Sequence, residues 1–143
     1  MCYTHRRLFA TLANALIAEG KKQQAAKVLA YQEKVMPEYN VPMSYMSGGM
    51  EIASAYSALG QKAKAMKIVN EMWKTSTQYL NYYMSLSTDK MLSSSADCTM
   101  HFQVLYGLLD IAKTANLAWM KQHNMAFEQL YSRYRSLGGS LEQ

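Results

Sequence analysis

The sequence predicts an all-α fold of antiparallel helical hairpins, and three observations predict it. Apolar residues recur at spacings of three and four, glycines fall directly after those stretches, and the whole pattern repeats at an offset of 40 residues. The chain has 143 residues, half of them apolar and 17% charged, which suits one packed domain rather than a disordered chain. Seven Gly and two Pro are few for a turn-dense β fold. Ala, Leu, Met, Gln and Lys are common, and they lose little rotamer freedom on a helix.

The first helix is expected over residues 4–19, where Phe9, Leu12, Ala13, Leu16 and Ile17 share a face. Gly20 follows at the place where a helix end needs positive φ. A second helix, 22–36, carries Ala25, Ala26, Val28, Leu29 and Val35, and Pro37 stops it by disfavouring helical geometry in the residue before it. These make hairpin one, 4–37. Hairpin two, 44–86, repeats the pattern: Leu12/Ile52, Ala13/Ala53, Leu16/Tyr56, Gly20/Gly60, Ala25/Ala65 and Leu29/Val69 are each 40 apart. Its second helix runs on through Tyr79, Leu80, Tyr82, Tyr83 and Leu86. Residues 87–97, rich in Ser and Asp that compete for backbone hydrogen bonds, read as a loop. Phe102, Leu105, Leu108, Leu109 and Ala112 mark a helix over 98–115. Leu117, Met120, Phe127, Leu130, Tyr131 and Tyr134 mark a last one over 117–137, ended by Gly138 and Gly139. This third hairpin, 98–137, departs from the repeat as a terminal capping unit does.

Phe9, Leu12, Ala13, Leu16, Gly20, Ala25, Leu29 and Pro37 resemble the tetratricopeptide pattern, and Ile52, Ala53, Tyr56, Gly60, Ala65 and Val69 resemble it a second time. The resemblance implies a single domain, 1–143, of about six helices stacked as a short right-handed superhelix. Ala13, Ala25, Ala53 and Ala65 would sit where paired helices cross closely, and Met50, Met66, Met72, Tyr56 and Tyr83 would fill spaces between hairpins. Departures are Gln32 and Met72 at a place usually small, Gly49 in place of a large residue, and Thr77 in place of Pro. The offset of 40 exceeds the family's ~34, so 38–45 reads as an inserted connector.

The segment from Met1 to Phe9, the two repeats and the run Tyr79–Leu86 also resemble the C-terminal soluble region of bacterial multi-pass membrane proteins similar to protein O-mannosyltransferases. That resemblance implies a parent that transfers sugar from a lipid carrier in its membrane part, with this piece facing the periplasm. A free-standing gene product would be cytoplasmic instead. The chain itself shows no run of the ~20 apolar residues a membrane span needs, the longest being Leu8–Ala18, and no signal-peptide pattern.

The family register points a groove at the first helix of each hairpin. Arg7, Ala10, Asn14 and Ile17 face it from hairpin one, and Ser47, Met50, Ser54 and Ser57 from hairpin two. Asn14 matches one element of the family's clamp for a peptide carboxylate, but Ala10 stands where Lys is wanted and Glu51, which would repel the ligand, where Asn is wanted. Tyr39, Tyr45 and Met46, around the connector, are the candidate contacts outside the groove, since Tyr and Met suit adaptable surfaces. Cys2/His5 and Cys98/His101 share an i, i+3 spacing, and four such ligands could hold zinc. Their placement on hairpins one and three, with hairpin two between, argues against a shared site. His123 reads as a polar turn or surface residue. No phosphate loop, dinucleotide fingerprint or nucleophile elbow is present, and the carboxylates form no close pair.

These features predict a non-catalytic interaction or support module with no cofactor and no metal. Its partner would be a protein or peptide segment, including the membrane part of its own parent, and the module a monomer or weak dimer. The net charge of +5 is uneven: residues 1–37 hold six Lys/Arg against Glu19 and Glu33, while 75–143 balance five against five. A basic helical-repeat nucleic-acid binder is therefore the alternative, disfavoured because the repeats carry no regular base-reading side chains.

Overall fold

The computed structural model describes residues 2–35 and 48–139. Among these the chain is all-α, with seven helices and no strand: α1 (Cys2–Ala18), α2 (Lys22–Val35), α3 (Gly49–Ala58), α4 (Lys62–Ser85), α5 (Thr88–Ser93), α6 (Ser95–Ala115) and α7 (Leu117–Ser136). Periodicity located six of them to within a few residues. The seventh, α5, lies in the stretch expected to be a loop, and α6 also starts inside it, at Ser95. The Ser and Asp residues here begin helices instead of breaking them. Ser87 and Ser94 occupy N-cap positions without a side-chain cap bond, and Asp89 and Asp97 fall in first turns, where a negative charge meets the positive end of the helix dipole.

The turns after α1 and α3 share one geometry. Gly20 and Gly60 both have φ 80°, a left-handed conformation that a side chain resists. The N–H of Lys21 donates to the Leu16 carbonyl at 2.8 Å and that of Gln61 to the Tyr56 carbonyl at 2.9 Å. Each closes a six-residue cap over an orphan carbonyl. The same cap at the same register turns α1 into α2 and α3 into α4.

The chain divides into two compact units, residues 1–72 and 73–143, with the division inside α4. In the first, α1 packs against both α2 and α3. Ala13, Ala25, Ala53 and Ala65 are fully buried, and Leu29, Ile52, Tyr56 and Val69 are buried with them. Lys64 at the start of α4 donates to Glu33 of α2 at 3.1 Å and lies over the Tyr56 ring of α3. Met66 and Met72 are buried as expected, and Met50 is half-buried.

In the second unit α6 packs against α7, and α5 against α6. Phe102 is the centre, with the rings of Phe127, Tyr131 and Tyr134 within 5.9 Å. Leu105, Leu108, Leu109 and Ala112 continue the buried face of α6, and Leu80 and Met84 are the buried face of the second half of α4. Asn116 caps α7 by accepting from the Trp119 N–H at 3.1 Å. No helix among the described residues is long and apolar enough to cross a membrane.

Candidate interaction surface

The groove residues of the first unit fall into three groups. Arg7 and Ser54 are exposed, and Ile17 and Met50 are half-buried. Asn14 is half-buried and already engaged: its Nδ2 donates to the Ala10 carbonyl at 3.0 Å and across to the Glu51 carbonyl at 3.2 Å, tying α1 to α3. Ala10 and Ser57 are buried, so neither faces a groove. On α3, Gly49, Ile52, Ala53, Ala55, Tyr56 and Ser57 are all buried, Met50 is half-buried, and the stripe Glu51–Ser54–Ala58 is exposed. Ser47, Tyr39, Tyr45 and Met46 lie outside the described residues.

A different face of hairpin one is open. Leu8 is 61% exposed and Leu12 49%, on one side of α1. Tyr31 and Val35 are exposed one turn apart on α2, and Tyr31 meets Phe9 of α1 edge-on at 5.8 Å. Leu12 belongs to the apolar face that marks the first helix in the sequence. Its repeat equivalent, Ile52, is 0% exposed. The sequence signal was the same at both positions, and the difference is only whether a neighbouring helix lies over the face.

Among the chemistry-bearing side chains of the second unit, Ser76, Cys98 and His101 are buried. His101 on α6 sits with its Nδ1 3.2 Å from Ser76 Oγ of α4, its ring stacked on Tyr79 at 4.9 Å. Tyr83 donates to Asp97 at 3.3 Å. Burial lowers the His101 pKa against a weaker opposing pull from Asp97, so the ring is neutral at pH 7. Burial also raises the Tyr83 hydroxyl, with Asp97 adding to the shift. Ser76 is buried in mid-helix, so the Ser–His pair is an interhelical tie rather than a nucleophile facing substrate. Positions 76, 79 and 83 share a face of α4, as 97 and 101 do on α6, and that spacing could have revealed the cluster.

Cys98 is fully buried, and its thiol pKa is raised by burial first and Asp97 second, with a hydrogen bond to Tyr134 opposing. Among the described residues no group of three His, Cys, Asp or Glu side chains could hold a metal ion. His123, expected as a polar turn or surface residue, is half-buried in α7 instead. It stacks on Trp119 at 3.7 Å, donates from Nδ1 to the Trp119 carbonyl at 2.9 Å, and meets the edge of Trp73 at 5.2 Å. Outside these clusters, α7 carries an open depression of about 440 Å³ lined by Met125, Glu128, Gln129 and Ser132. Compared with known proteins, the chain matches no family model, no curated protein and no solved structure.

Proposed function

We propose that this chain is a non-catalytic protein-interaction or support module built of tetratricopeptide-like hairpins. The observation that carries it is the apolar face of hairpin one, where Leu8, Leu12, Tyr31 and Val35 stand in solvent on two paired helices. Scattered single apolar residues are ordinary on a surface, but four large ones exposed on the two helices of one hairpin are the kind of surface that binds protein. The reactive side chains, by contrast, tie helices together. The resemblance to the soluble part of O-mannosyltransferase-like membrane proteins supports a place beside a membrane enzyme, on the periplasmic side, with a segment of the parent as partner. The nucleic-acid alternative has less behind it, since Lys64 pairs with Glu33 and Lys21 with Glu19.

The test is site-specific photo-cross-linking in cells with the full chain. A cross-linking residue at position 8, 12 or 31 should give one defined protein adduct, and the exposed position 106 on α6 should not. No adduct at any of the three positions refutes the reading.

A further inference from the structure

The exposed stripe on α1 is the stripe that α3 uses against α1. Moved by one repeat, Leu8, Leu12 and Ala15 become Gly48, Ile52 and Ala55. Gly48, the N-cap residue of α3, and Ile52 and Ala55 on the helix are buried, while all three on α1 are exposed. Gly48 lies directly against α1: a Cβ there would stand 3.0 Å from Arg7 Cγ. Alongside, Asn14 of α1 donates to the main chain of α3 at Glu51. An established interface thus exists in the molecule, and one of its two sides is present a second time without its cover.

From this we infer that the outer face of hairpin one is a stacking surface for another antiparallel helical hairpin, one whose first helix carries the inner face of α1. This deepens the interaction reading above and rests on it. The occupant's chemistry comes from the translation. It has small residues where Ala10 and Ala13 stand, and an Asn at the place of Asn14 that donates to the Thr11 carbonyl, the repeat equivalent of Glu51. It differs from α1 at one place. A Cβ at Gly48 would stand 3.0 Å from Arg7 Cγ and 3.3 Å from Arg7 Cα, so over Leu8 the occupant carries a small residue where α1 has Arg7 and its main chain lies farther out than that of α1 does from Gly48. Burying Leu12 against such a helix removes apolar surface from water, as burying Ile52 does now.

The test adds the occupant. The forty-residue unit, residues 1–40 with Arg7→Ala, is placed in tandem ahead of the full chain, and Leu12→Cys is introduced in the original unit with both copies of Cys2 changed to Ser. Alkylation at position 12 should slow by about tenfold or more relative to the same variant without the added unit, as expected when a site reacts only on local opening. Tyr106→Cys should react at the same rate in both. An unchanged rate at position 12, with the added unit helical by circular dichroism, overturns the inference.

A second pair of variants guards against a misfolded addition. Leu12→Lys should leave the urea midpoint of the original chain unchanged and lower that of the tandem chain. Equal midpoint changes in the two count against stacking. Sedimentation of the original chain completes the set: a dimer dispersed by Leu12→Lys would assign the face to a second copy and overturn the hairpin as occupant. Protection in the tandem chain without any adduct in cells refutes the interaction reading and leaves the stacking surface standing.

Discussion

Gln32 offers the sharpest test of the packing argument. It lies in the first unit with no exposed surface, and neither atom of its side-chain amide has a hydrogen-bond partner among the described residues. Forty residues on, Met72 occupies the same repeat position, 3% exposed. The two side chains have nearly the same length, so Gln32→Met changes polarity with little change in shape. An unpaired buried amide costs about 1–3 kcal/mol in proteins, and the substitution should return that amount. With urea m-values of ~2 kcal/mol/M, the midpoint should rise by roughly 0.5–1.5 M. In heat the gain should appear as roughly 2–10 °C in Tm for a chain of this size.

The assay is urea unfolding monitored in parallel by far-UV circular dichroism and tryptophan fluorescence. Both tryptophans, Trp73 and Trp119, belong to the second unit, so fluorescence alone tells whether the gain is confined to the first. Gln32→Ala should gain much less or lose stability, because it leaves a cavity. The reciprocal Met72→Gln should cost about what Gln32→Met gains. A Gln32→Met midpoint that is unchanged or lower would mean the amide is satisfied in the native state, and the desolvation reasoning would be wrong.

The same geometry sets three further outcomes. Asn14→Ala removes the bond that ties α1 to the main chain of α3, together with the one to Ala10 within α1, and should lower stability by about 1–2 kcal/mol in urea unfolding. His101 has its pKa lowered by burial, so below about 6.5 the unfolded chain binds a proton that the folded chain resists; stability is full above that pH and should fall as the pH drops from 7 toward 5. His101→Gln should flatten that slope in a series of urea midpoints. In a Cys2→Ser background, Cys98 should react with a thiol reagent about a hundredfold slower than in denatured protein, because its thiol is buried and its pKa raised.

Much of this architecture was legible in the residues themselves. Helical periodicity depends only on which side chains recur every three or four positions, and the turns at Gly20 and Gly60 depend on the one residue that takes φ 80° without strain. The burial of Ala13, Ala25, Ala53 and Ala65 was readable for the same reason, since each falls on the apolar face of its helix. The stretch 87–97 was misread because Ser and Asp both break helices and begin them, and the choice turns on the packing open to the next few residues, such as the buried Met91 and Cys98.

The surface was another matter. Leu12 and Ile52 are interchangeable in the repeat pattern, yet one is half in water and the other sealed. Asn14 was placed on a groove, and it also bonds the neighbouring helix; Ser57 was placed in the same groove, and it is enclosed. His101, Ser76 and Tyr79 come together although 25 residues separate the first two. The sequence by itself determined where helices form, where they turn and which positions repeat, because those are properties of neighbouring residues. Only the tertiary structure decided which repeated faces are covered and which polar groups find partners, because both depend on a second element lying alongside, and local periodicity is the same whether or not it does.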